Sequence, residues 1–226
     1  MSIENNRQTI LDLLKSKSIL KQDVFALSKS CFTNLRGVIY KEIAAILPLI
    51  KDDRIRLSAE DKSDFETMVM IGSDALLFQM HSNVFLLEDE HPLWKAPYLK
   101  KNTENGFFGV IHIYNFLAES IINNRFNDSG FLIGKIYVNK ENKVFVEGKG
   151  QLGFLFKDPS DNICSEKLIN HIVQVSFAQA LNFDLLNPPY ELIEEVSVEQ
   201  MLSISADLRV KTSKRLGFKQ SNHDKT

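Results

Sequence analysis

From Leu20 to Ile46 the chain repeats apolar side chains at steps of three and four: Leu20, Val24, Leu27, Cys31, Leu35, Val38, Ile39, Ile43 and Ile46. That spacing puts them on one face of a single long helix, and Phe25 and Phe32 widen the stripe. No other feature restricts the fold as much, because so long an apolar face must be covered. A β-sheet is the expected cover, with a helix-mediated dimer as the alternative. Ser18 is placed to cap the helix start, and Pro48 to stop it at or before Leu47. Ahead of it, Ile10, Leu11, Leu13 and Leu14 mark a short separate helix that ends near Ser16-Lys17-Ser18.

From about Arg54 to Lys157 the period changes. Phe65–Ile71, Ala75–His81 and Val84–Glu88 read as short strands separated by Gly72-Ser73-Asp74 and Ser82-Asn83, breaks of hairpin type that predict an antiparallel meander. A polar loop with Pro92, Trp94 and Pro97 follows. The strand Gly106–Asn115 then places Val110, His112, Tyr114 and Phe116 on one side. Three more strands fit Phe131–Val138, Lys143–Glu147 and Gln151–Phe156, the first two joined by a tight turn at Asn139-Lys140-Glu141-Asn142. Several are apolar on both sides, so cover on both faces of the sheet, or a shared sheet, is expected.

Helical spacing returns with Leu168, Ile169, Ile172, Val173, Phe177, Ala180 and Leu181, stopped by Asn187-Pro188-Pro189. Tyr190–Val196 fits an edge strand and Ser197-Val198-Glu199-Gln200 has capping-box spacing for another helix. No linker and no internal repeat interrupts the chain. The expected organisation is one α+β domain over 1–210, helical over 1–50, mainly β over 54–157 and mainly helical over 160–210. Its antiparallel sheet of about six strands packs against the long N-terminal helix and a C-terminal helix. A basic tail over 211–226, with Lys211, Lys214, Arg215, Lys219 and the apolar Phe218, reads as frayed and solubilising rather than as a phosphate-binding element.

Composition excludes several classes. With 44% hydrophobic and 25% charged residues the chain is neither disordered nor fibrous. A net charge of −2 supplies no field to recruit nucleic acid or an anionic membrane. No secretory signal pattern opens the chain, and its longest uncharged apolar stretch, Ile43–Ile50, is far below the roughly 20 residues that cross a bilayer. A cytoplasmic protein without a membrane partner is expected. Cys31 and Cys164 lie in separate apolar segments without CxxC spacing, which predicts reduced core thiols.

No Walker loop, GxGxxG, GxSxG, HExxH or paired CxxC occurs. Val144-Phe145-Val146-Glu147-Gly148-Lys149, followed by Gln151, is an apolar strand ending in Glu-x-Lys, and it resembles the metal-binding half of the PD-(D/E)xK nuclease core. The resemblance implies Asp128 and Glu147 as ligands of Mg²⁺ and Lys149 beside the attacking water. A hard cation wants oxygen ligands, and a phosphate needs a nearby positive charge. Two features depart from that family: Asp128 sits in a loop-like stretch, and Gly150 leads into a strand-like run where the family has a helix. A second metal candidate pairs His81 with His112 on neighbouring strands, His91 and Glu88-Asp89-Glu90 lying close in sequence.

The phenylalanines fall at core positions, but Trp94 and Tyr98 share a loop with two prolines that is either pinned to the core or exposed for contact. The main expectation is a non-catalytic binding protein that takes a protein partner, itself, or a small apolar ligand held on the sheet. The ligand or partner would meet Trp94, Tyr98, His112, Tyr114 and Phe116, with no cofactor. The Mg²⁺-dependent nuclease is the alternative.

Overall fold

A computed structural model of the chain describes residues 3–125, 128–160 and 162–183. The expected stop at Asn187-Pro188-Pro189, strand at Tyr190–Val196, helix start at Ser197–Gln200 and basic tail from Lys211 lie outside the described residues.

The fold is α+β. Six antiparallel strands run in sequence order as an uninterrupted meander: β1 (Leu57–Ser63), β2 (Glu66–Ile71), β3 (Asp74–Leu86), β4 (Phe107–Leu117), β5 (Phe131–Asn139) and β6 (Val144–Gly148). The helices are α1 (Ile3–Leu13), α2 (Ile19–Ile46), α3 (Pro97–Lys101), α4 (Ala118–Ile122), α5 (Gly150–Leu155) and α6 (Glu166–Leu181).

Helix α2 lies on one face of the sheet as its stripe requires, burying Val24, Cys31, Phe32, Leu35, Val38, Ile39 and Ile43. Helix α6 packs beside it, and Ser165 caps α6 by accepting from the Leu168 N–H. Together they close the main core over Leu76, Phe78, Ile111, Ile113, Ile136, Val144 and Val146. Glu42 on α2 ties the two helices by accepting from Asn170 and Gln174.

The ends of α2 divide the expectations. Pro48 stops it after Ile46, but Ser18 caps nothing: its backbone is helical, and α1 runs into α2 through a π-helical turn, Leu14–Ser18. Ser16 does not break the helix because its hydroxyl donates back to the Asp12 carbonyl, 2.7 Å away.

Two strand readings are corrected, and one strand, β1, is added. Ser82-Asn83 is not a hairpin turn. It is an irregularity inside the single long β3, where Met80 pairs with Ile111 and Val84 with Gly109. Beyond Gln79 strand β2 has ended, so β3 continues on β4 alone. Strand β1 has only Leu57 and Ala59 as apolar residues and is polar and exposed from Glu60 on. Main-chain pairing with β2 makes it an edge strand whose Glu60, Asp61 and Lys62 discourage further pairing. Gln151–Phe156 is not a strand but contains helix α5: Gly150, at φ +54°, turns the chain, and Leu152 and Phe156, four apart, both point into the core. The hairpins at Gly72 and at Asn139–Asn142 form as expected. No helix of the described residues is long and apolar enough to cross a membrane.

Candidate functional site

The second face of the sheet is divided. Where β4, β5 and β6 meet, the chain between β3 and β4 folds across it and makes a second, smaller core of Leu87, Leu99, Phe108, Val110, Tyr137 and Phe145. Tyr137 and Phe145 stack with centroids 4.3 Å apart, and Phe108 meets Phe145 edge-on at 5.1 Å. Trp94 and Tyr98 pack against this cluster, so the loop is pinned. Gly106 makes the seat for Trp94: a Cβ there would come within 2.2 Å of the indole ring.

Polar ties hold the same loop. The Trp94 Nε1–H donates to the Glu88 carbonyl at 2.9 Å. Tyr98 donates to Glu141 at 2.9 Å and accepts from Asn139 at 2.8 Å; burial, with the Glu141 carboxylate accepting its proton, pushes its pKa up to about 12. At the sheet edge, His91 Nε2 lies 2.7 Å from Glu147 Oε1, and the Tyr137 hydroxyl donates to Oε2 at 2.6 Å. Burial works against the Glu147 charge, but the bonds from Tyr137 and His91 and the Lys135 ammonium outweigh it and hold its pKa below the usual carboxylate value.

His91 and Glu147 face an open cleft of about 460 Å³ with Leu93, Phe145, Gly153 and Lys157, and Tyr137 lies outside its lining. The arrangement looks like a histidine–carboxylate pair, yet His91 has no ring nitrogen left for a substrate. Nε2–H is spent on Glu147 and Nδ1 accepts from the Leu93 N–H. The pair clamps the loop to the sheet edge. Glu147→Ala is accordingly expected to cost about 1–2 kcal/mol, since it strips the partner from a Tyr137 hydroxyl at the edge of the core. Urea unfolding reads the loss, and a red shift of the single Trp, Trp94, reports loosening of the loop. The pH dependence carries a definite sign. Because the folded-state pKa is depressed, the carboxylate's contribution is present above the unfolded value of 4.5 and is lost as pH falls through the folded one.

On the remainder of this face His112, Tyr114 and Phe116 project side by side from β4, as expected, with ring centroids 5.7 Å and 6.3 Å apart. They are half-buried, together with Met70, Leu77 and Gln79 from β2 and β3 and Leu132 and Lys135 from β5. Burial, the Lys135 charge and His81 all lower the His112 pKa, so the ring is neutral at pH 7.

The two metal constellations fare differently. His81 and His112 do come together, centroids 6.5 Å apart, but Lys135 stands beside them, and His81 Nδ1 accepts from the Asn83 N–H. Asp128 and Glu147 are not brought together. Asp128 accepts from Ser120 on α4 at 2.6 Å and pairs with Arg125. Glu147 instead sits opposite Lys135 in the body of β5 and belongs to the His91 clamp. Lys149 precedes α5, and Gln151 is exposed on it. Among the described residues no group of three His, Cys, Asp or Glu side chains is placed to hold a metal ion.

Two features carried no local signal in the sequence. One is an apolar pocket of about 280 Å³ where the end of α2 meets α6 and the β1–β2 edge, lined by Ile46, Ile50, Leu57, Ile71, Phe177 and Leu181. The other is the exposure of the α1 stripe among the described residues, which its apolar spacing does not announce. Comparison with protein-family models, with curated proteins and with solved structures gives no match for this chain.

Proposed function

We propose that this protein works by binding another protein chain, a second copy of itself being the first partner to test, and that it is not a catalyst. The observation that supports the reading is the helical arm at the N-terminus. No residue from Glu4 to Ile19 is buried by the described residues, and Ile10, Leu13, Leu14 and Ile19 are each more than half exposed. An apolar stripe at helical spacing that the described residues leave exposed is best stabilised by a groove or a second helix. The half-buried His112, Tyr114 and Phe116 supply a second contact surface, flat and rimmed by Gln79 and Lys135. That shape suits a protein better than a small molecule, which sites usually enclose by 70–90% or more. Trp94 and Tyr98 enter this reading as the residues that close the other half of the face.

Size-exclusion chromatography with light scattering tests it. The wild type is expected to run as a dimer, and Ile10→Asp/Leu14→Asp as a monomer with its circular dichroism otherwise retained. A wild type that is monomeric at every concentration, with the double variant indistinguishable from it, removes the support for self-association. The pocket near Phe177 favours a second reading, a small apolar ligand; an alkyl-chain fluorophore displaced from the wild type but not bound by Phe177→Arg would mark it. The nuclease alternative has less behind it, since the carboxylates it needs are engaged elsewhere. Its own test is cleavage of duplex DNA with Mg²⁺ that disappears in Glu147→Gln.

A further inference from the structure

Helix α2 carries Cys31 on its buried face, and the chain returns to it 133 residues later at Cys164, with the two Sγ atoms 2.6 Å apart. Both are free thiols, and both are buried, Cys31 at 1% and Cys164 at 9% exposure. They are the only cysteines of the chain. Their meeting is fixed by backbone on each side. The Cys164 N–H donates to the Asn142 carbonyl at 2.8 Å, and Ile163 bridges to Lys143. Ser165 then caps α6, so Cys164 is held between a turn of the sheet and the start of a helix. On the other side, Cys31 is locked in the middle of α2 among Phe32, Leu35 and Ile169 of the main core.

We infer that Cys31 and Cys164 are a modification site: they form an intramolecular disulfide on exposure to a two-electron oxidant of the peroxide class, clamping the start of α6 to the middle of α2. Cys164 reacts first. It is the more exposed of the pair and precedes a 16-residue helix whose N-terminal N–H groups favour negative charge. The bond between the two sulfurs lowers the Cys164 pKa and, together with burial, raises that of Cys31. The Cys164 thiolate attacks one peroxide oxygen. The O–O bond breaks, leaving a sulfenic acid on Cys164 and a hydroxide that takes up a proton as water. Cys31 sulfur then attacks the Cys164 sulfur, the S–O bond breaks, and the hydroxyl leaves with the Cys31 proton as a second water. Two thiols are oxidised and one peroxide is reduced. Cys164, at 9% exposure, is the side of the pair nearer to solvent, which suits a small peroxide better than a bulky disulfide. The inference is independent of partner binding, since neither cysteine belongs to the arm or to the second sheet face.

Intact-mass spectrometry of the full chain treated with hydrogen peroxide tests it directly. The expected result is a product lighter by two hydrogens, with a linked peptide pair containing Cys31 and Cys164. The melting midpoint should rise by about 10 °C, because a crosslink across so long a loop constrains the unfolded chain, and it should fall back on reduction with dithiothreitol. Cys31→Ser under the same treatment is expected to gain oxygen at Cys164 without that rise. The inference is overturned if wild-type Cys164 is carried to the sulfinic acid while Cys31 stays alkylatable, or if the crosslink joins two chains instead of one.

Discussion

Phe78→Ala is expected to destabilise the folded chain by about 3–5 kcal/mol, the usual range for removing a fully buried phenylalanine. The phenyl ring is completely buried at the centre of β3, between Thr67 on β2 and Ile113 on β4, in the core that α2 and α6 close. The cost has two parts: transfer of the ring back to water in the unfolded chain, and a cavity that the sheet cannot collapse into. Collapse is resisted because the neighbouring Thr67 is itself fixed. Its hydroxyl donates to Asp61 at 2.8 Å and accepts from Arg36, which also pairs with Asp61 at 3.1 Å. For a chain of this length the melting midpoint should drop by about 10 °C. Chemical denaturation checks it; a loss under 1 kcal/mol would mean that the helix layer does not sit on β3 as described.

Gly109→Ala should cost about 3 kcal/mol, the upper part of the range for overpacking, although it adds a single methyl group. A Cβ at this position of β4 would come within 2.0 Å of the Ser28 hydroxyl and 2.6 Å of the Ser28 Cβ. Ser28 has nowhere to go, since it is buried and its hydroxyl donates back to the Val24 carbonyl at 2.7 Å. The methyl must therefore lift the first turns of α2 from the sheet. The double variant Gly109→Ala/Ser28→Gly removes the obstructing atoms and should recover more than 1 kcal/mol relative to additivity, even though glycine costs about 1 kcal/mol inside a helix. If the two changes simply add, then Ser28 and Gly109 are not the point of closest approach between the layers.

Much of the fold could be read from local pattern. The stripe of α2 and the face of α6 have a helical period that survives in the structure with most of the same residues buried, Leu181 at the end of α6 being exposed. The hairpins at Gly72 and Asn139 follow from turn chemistry, Asn142 adopting φ +56° where the chain reverses. Where two periods fit one segment, pattern failed. Gln151–Phe156 alternates like a strand but also spaces Leu152 and Phe156 like a helix, and the approach of Gly153 to Gly148 decides for the helix. Strand β1 has too short an apolar alternation to read, because Leu57 and Ala59 are the only apolar side chains it gives the core.

The candidate site was less legible. His112, Tyr114 and Phe116 could be placed on one face by alternation, but whether that face is covered depends on where the β3–β4 loop lands. Glu147 stood out for its spacing to Lys149, whereas its partners in the structure are His91, 56 residues earlier, and Tyr137 on the neighbouring strand.

By itself the amino-acid sequence determined the two long helices, most of the strands, where two of the hairpins turn, and that the meander runs antiparallel, because period, glycine placement and proline placement act within a few residues. Tertiary structure alone decided which half of the second sheet face lies under the Trp94 loop, that the described residues leave the α1 stripe exposed, and that Cys31 meets Cys164. Those outcomes turn on contacts between residues dozens to more than a hundred positions apart, and no local spacing encodes a meeting across that length of chain.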